Sequence, residues 1–249
     1  MNMTLFKYFI RKNWLLWTAF VTLMLVEIMA YIFLMEVMHE MLYNMGFGSP
    51  TGDSALFFIA GLYPMAAVLF PMVYFIFVIH KIMSRSVDNS SMAAFLSSGI
   101  KRNHYTITAG VFVAISLVAM FTVIFVVGGL GLLFWGSFNW LYWLNLNVSF
   151  LLVNLAVASL CFLFSSTFPA SKLGLALTIV FPILFLIFNM LAEYADFFRF
   201  MTAYGWIDAP GIALGTFNLW WVAMLVYICV STILVTISVL LYRRKQLSI

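Results

Sequence analysis

The chain has 249 residues, of which 65% are hydrophobic, 18% aromatic and only 8% charged, and its mean hydropathy is +1.12. Such a composition belongs in a bilayer, and it leaves no polar block large enough for a separate soluble domain. The formal net charge of +4 is not a nucleic-acid signal, because eleven of the twelve Lys and Arg sit in clusters beside apolar stretches, as membrane insertion requires. One transmembrane domain over residues 1–249, all-α, is the expected organisation.

The chain begins with an aromatic and basic stretch. From Asn2 to Asn13, Leu5, Phe6, Phe9 and Ile10 alternate with Lys7, Arg11 and Lys12 at helical spacing. That pattern predicts an amphipathic interfacial helix (1–14) lying flat on the cytoplasmic leaflet, its cations toward anionic head groups. The apolar run behind it is too long for a cleavable signal and lacks a small-residue cleavage site, so it is expected to remain as an anchor.

A membrane span takes about 20 apolar residues. Six segments qualify: Leu16 to Met38, Ala55 to Ile79, Ile107 to Phe134, Val148 to Phe168, Leu173 to Leu191, and Leu219 to Leu241. The cations fall before the first span, between the second and third, between the fourth and fifth, and after the sixth, with Arg199 alone on the opposite side. The positive-inside rule then puts both ends of the chain in the cytoplasm. The outer side carries Glu40, Asp53, Glu193, Asp196 and Asp208, together with Trp135, Trp140, Trp143, Trp206, Trp220 and Trp221 near the boundary. Tryptophan prefers the head-group zone, so most of these read as anchors.

Between the second and third spans lies the polar loop His80 to His104. Its middle, Asp88 to Leu96, reads as a short helix: Asp88, Asn89 or Ser90 is available as a cap, and Met92, Phe95 and Leu96 form one apolar face. Gly99 ends the pattern and Lys101 and Arg102 follow, as suits a helix C-terminus. Such a helix either docks a soluble partner or is a connector whose basic ends obey topology rules. The connection from Ala192 to Asn218 is too apolar for a solvated loop. Phe197, Phe198, Phe200, Met201 and Trp206 predict short helices dipping back into the outer leaflet, broken around Gly205, Pro210 and Gly211. Protein must cover backbone of that kind at membrane depth. The segment reads as a cap on a bundle or exit route, with Phe198, Met201, Trp206 and Asp208 as a candidate extracellular gate; a plain interfacial helix pair is the alternative.

Glu27 is ionisable midway along the first span, so it should face the bundle, be neutral, or be hydrogen-bonded to a neighbouring helix. It is a candidate gating or substrate contact, as are Pro64 and Pro71, which lie seven apart on one face of the second span and bend it. Pro182 does the same for the fifth span. Cys161 and Cys229 both sit in apolar runs and are expected to pack as small apolar residues rather than as a disulfide or metal site. Sixteen Met and twenty-seven Phe suit either a pliable apolar chamber or an ordinary bundle core. No histidine lies within a span, and there is no H-E-x-x-H, no G-x-S-x-G and no G-x-x-x-x-G-K-[ST]. The chain is therefore expected to be no enzyme by itself, with no catalytic or metal residues.

Three stretches resemble the permease subunit of an ABC-2 type ATP-binding-cassette exporter. Val87 through Arg102 is similar to the family's stretch of acid, small residue and apolar pair followed by L-S-T-P-V-S-R, with Gly99 where proline is usual and Lys101 where serine is usual. Phe200 through Ala209 is similar to L-T-P-F-x-Y-F-D-A, with Ala203 in place of proline, and Tyr242 through Leu247 resembles the family's basic tail. The resemblance implies a six-span half-transporter of the bacterial cell membrane. It would pair with a second permease copy, identical or paralogous, and with a separate ATPase subunit that binds ATP and Mg. The N-terminal helix would be the elbow helix. Residues 80–104 would be the coupling loop, with Asp88, Met92, Phe95, Leu96, Lys101 and Arg102 at the ATPase. Residues 192–218 would be the re-entrant extracellular hairpin. Small permeases of this type resemble exporters of bacteriocins and cytolytic peptides, which implies an amphipathic peptide cargo, otherwise a drug or lipid. A stand-alone secondary carrier or channel using Glu27 as a proton site is the alternative reading.

Overall fold

The computed structural model describes residues 2–44, 52–84, 102–169, 171–192, 194–216 and 220–244. Within them every regular element is helical: α1 (Met3–Asn44), α2 (Gly52–Ile79), α3 (Arg102–Leu132), α4 (Trp140–Thr167), α5 (Lys172–Leu191), α6 (Asp196–Met201), α7 (Ala209–Ala213) and α8 (Trp220–Arg244). A π-helical turn, His80–Ser84, extends α2, and 3₁₀ turns occupy Leu133–Trp135 and Tyr204–Trp206. Six of these helices are long and apolar enough to cross a membrane. The absence of strands among the described residues follows from composition, since a helix satisfies its own backbone where lipid offers no partner.

α4 is the central helix. It packs against α2, α3, α5 and α8, and 61% of its most apolar window is buried, against 17% in α5 and in α8. α1 lies against α2 and α3. The basic stretches gather at one end: the backbone N–H of Asn2 donates to Thr108 Oγ1 at 3.0 Å, and Lys81 Nζ donates to the carbonyl of Lys12 at 3.0 Å. At that same end the Tyr105 hydroxyl donates to the carbonyl of Ile82 at 2.7 Å, tying the π-helical turn to α3.

The start of the chain differs from the expectation of a separate interfacial helix. Residues 3–13 are the first turns of α1, which runs unbroken for 42 residues because neither Gly nor Pro interrupts it. At 1.5 Å per residue it is about 63 Å long, well beyond a hydrocarbon core. Its apolar face meets protein rather than head groups: Leu5 and Phe9 are buried, and Phe9 sits edge-on to Tyr105 at 5.7 Å. Lys7, Arg11 and Lys12 remain exposed. α4 also starts earlier than its apolar run, at Trp140, because the Asn139 side chain accepts from Leu141 N–H at 3.0 Å and caps it. That early turn carries Trp143 inward. The residue is fully buried, its Nε1 donates to the carbonyl of Phe125 at 2.9 Å, and its ring meets Tyr63 at 5.3 Å. Gly128 makes room for it, since a Cβ there would lie 2.8 Å from the indole. Trp143 is thus a core residue and not an anchor, whereas Trp140, Trp206 and Trp221 are exposed.

Three prolines interrupt helices, and each removes the donor that the carbonyl four residues earlier needs. For Pro71 that carbonyl is Ala67, and Asn154 Nδ2 of α4 donates to it at 2.8 Å. For Pro182 it is Thr178, to which the Cys161 thiol of α4 donates at 3.4 Å. Ser165 joins the same place through the Thr178 hydroxyl, 3.0 Å away. The central helix therefore satisfies two of its neighbours where they break. For Pro64 the carbonyl is Ala60, and among the described residues no side chain answers it.

Candidate functional site

Ala60 and Pro64 open onto a cavity of about 330 Å³ at the end of the bundle away from the basic stretches. Its walls come from α2, α4, α5 and the segment between α5 and α8. It is the one place among the described cavities where polar groups converge, bringing Asn189, Arg199 and Asp208 to the interrupted turn of α2.

The segment that closes this cavity is folded by local polar contacts. Arg199 Nε donates to the carbonyl of Gly205 at 2.7 Å, pulling the chain back on itself after α6. Glycine is required at 205, because a Cβ would lie 2.6 Å from the carbonyl oxygen of Arg199. Asp208 caps α7 by accepting from Gly211 N–H at 3.1 Å, with Pro210 in the first turn, where a missing N–H costs nothing. Two bonds fasten the segment to the spans on either side. Thr202 Oγ1 donates to the carbonyl of Phe185 in α5 at 2.8 Å, and the Tyr227 hydroxyl in α8 donates to the carbonyl of Ala203 at 2.5 Å. Tyr204 turns into the bundle and is buried. Burial, with Cys161 and Tyr227 near it, pushes its phenol far above the ordinary range, so it stays neutral.

Of the residues singled out in the sequence, Pro64 and Asp208 come together at this cavity. Phe198, Met201 and Trp206 do not join them. Phe198 stacks on Phe188 of α5 at 5.9 Å, Met201 is exposed, and Trp206 borders a separate apolar groove of about 390 Å³ between α4 and α8. The four are therefore not assembled as one gate. Pro71 is buried against α4. Glu27 is half-buried and accepts a hydrogen bond from Tyr31, one turn along the same helix. The i, i+4 spacing puts that phenol within reach before any other helix is needed. Asp88, Met92, Phe95, Leu96 and Lys101 lie outside the described residues; Arg102 is the first residue of α3.

Sequence reading missed Asn189, and it gives Arg199 as an isolated cation and Gly205 as a break without revealing that the two bond. Arg199 stands apart from the basic clusters in the sequence, six residues before a glycine that its own backbone crowds. The cavity offers charged, amide and backbone hydrogen-bonding groups on an otherwise apolar bundle. Among the described residues no cluster of His, Cys, Asp or Glu is arranged to hold a metal. No family model, no curated protein and no solved structure matches the chain.

Proposed function

We propose that this chain is the membrane-spanning permease half of an ATP-driven exporter of the ABC-2 type, moving an amphipathic cargo outward. The observation that carries the reading is the 194–216 segment, folded back as short helices over a polar cavity at the end of the bundle away from the basic stretches of α1 and the π-helical turn. In this reading the basic end is cytoplasmic, and Asp88 to Leu96 presents Met92, Phe95 and Leu96 to a separate ATPase. ATP closes the paired ATPases, the coupling helices move with them, and the bundle expels cargo outward. The shallow burial of α1, α5 and α8 leaves apolar helix faces for lipid and for a second permease. The position of Glu27, bonded within its own helix and away from the polar cavity, gives little support to a proton-driven carrier.

The test is co-purification. The reading frames beside this one are searched for a P-loop ATPase, and the chain is expressed with that product, isolated in detergent, and assayed for vanadate-sensitive ATP hydrolysis. A stable complex whose hydrolysis rises on reconstitution is expected, and Phe95→Asp should uncouple it while leaving the permease folded. A chain that is active in transport without any ATPase would overturn the reading.

A further inference from the structure

The basic end of the bundle holds a second cavity, of about 230 Å³, between α1, α2 and α3. Its walls include Phe6, Ile10, Trp14, Trp17 and Ile115, and it is almost wholly apolar. Ile10, Trp14 and Ile115 are exposed, so the cavity opens sideways through apolar residues. On a membrane-spanning bundle such a mouth faces acyl chains. Two wall residues with unmatched polar atoms break the pattern, Asn13 and Tyr74, whose hydroxyl is buried without a partner among the described residues. Asn13 is only 1% exposed, its Nδ2 donates back to the carbonyl of Phe9 at 2.9 Å, and its Oδ1 is buried without a donor among the described residues. Native interiors seldom leave such atoms unmatched, and a hydroxyl placed between them would donate to the amide oxygen and accept from the Tyr74 phenol.

The rim supplies the charge. With 3.6 residues per turn, Lys7 and Arg11 share a flank of α1 with Ile10 and Trp14, and both cations are exposed. Among the described residues no carboxylate pairs with either. Lys12 lies next to them, and Lys81 is brought to the same place through its bond to the Lys12 carbonyl. The surroundings ask for a molecule with an apolar tail, a negative charge and a hydrogen-bond donor close to that charge.

We infer that this groove is a binding site for an anionic phospholipid with a hydroxylated head group, of the phosphatidylglycerol type. An acyl chain lies along Trp14, Trp17 and Ile115, the phosphate meets Lys7 and Arg11, and a head-group hydroxyl donates to Asn13 Oδ1. A zwitterionic choline lipid offers the same tail with neither net charge nor donor. The site does not depend on what the bundle transports.

The test uses the purified full chain in detergent, titrated with dioleoyl-phosphatidylglycerol or dioleoyl-phosphatidylcholine and read by native mass spectrometry. One phosphatidylglycerol should be retained about tenfold more tightly than phosphatidylcholine, on the scale of a single good charge-assisted contact. Lys7→Gln with Arg11→Gln should abolish that preference, Asn13→Leu should reduce it severalfold, and Ile115→Trp, which fills the groove, should remove both lipids. A readout that needs no variant is tryptophan fluorescence with acyl-brominated lipids, where brominated phosphatidylglycerol should quench at lower concentration than its choline counterpart. Equal retention and equal quenching by the two lipids would overturn the site. So would a preference that survives both the charge and the groove-filling substitutions in folded protein.

Discussion

The amide of Asn154 reaches from α4 to the carbonyl of Ala67, the oxygen that Pro71 deprives of its helical donor. The bond is conditional on the proline, which makes it testable as a pair. Asn154→Leu should lower stability by about 1 kcal/mol, the scale of interhelical hydrogen bonds in membrane proteins. In a Pro71→Ala background the helix regains its own N–H donor, and the same substitution should cost much less. A thermodynamic cycle from unfolding in denaturing detergent measures the difference. Equal costs in both backgrounds would show that the amide does not serve the proline.

Glu27 leads to a second expectation. Its bond from Tyr31 needs an acceptor oxygen, which glutamine also carries. Glu27→Gln should therefore leave assembly and transport near normal, while Glu27→Lys should prevent assembly by placing a cation at mid-membrane. Transport assayed in vesicles across a pH series decides the matter. Loss of transport in an intact Glu27→Gln protein would make the proton-coupled carrier the better reading.

The packing of Trp143 on Gly128 predicts a steric coupling. Gly128→Ala places a methyl group 2.8 Å from the indole and should destabilise the bundle by about 1–3 kcal/mol. Trp143→Phe alone loses the bond to Phe125 and part of the packing with Tyr63. Combined with Gly128→Ala it should be less harmful than the sum, because the smaller ring vacates the contested space. Thermal unfolding followed by size-exclusion chromatography reads all three variants.

Topology is checked by cysteine labelling after replacing Cys229, which is exposed on the bundle, while Cys161 is buried. Cysteines introduced at Tyr194 and Leu214, both exposed, should react with an impermeant maleimide added outside intact cells. One introduced at Ser91 should react only after the membrane is opened. The reverse pattern would overturn the placement of the basic end in the cytoplasm, and the coupling role of residues 80–104 with it.

The six spans were legible because hydropathy and length alone define them, and each expected segment overlaps one long helix. Short helices after α5 were expected, but their breaks were misplaced: Gly205 lies inside a 3₁₀ turn and Pro210 and Gly211 lie inside α7, because Pro fits a first helical turn. What the sequence concealed were relations between helices. Trp143 looks like any boundary tryptophan until Asn139 starts α4 early and turns it toward Tyr63. Leu5 and Phe9 look like a lipid-facing stripe until α3 is beside them. Likewise, a hydrophobic pattern locates Pro64 but cannot reveal that Arg199 and Asp208, far along the chain, meet it across a cavity. Periodicity reports which residues share a face and leaves open what that face touches.

The bond between α2 and α4 also sets an order of events during synthesis. Asn154 lies 87 residues after Ala67. At about 5–20 residues per second, the broken turn of α2 waits roughly 4 to 17 seconds before its donor is made. A helix released alone into hydrocarbon during that interval would expose a carbonyl that lipid cannot serve. The interval is the time α2 spends without the partner that α4 later supplies.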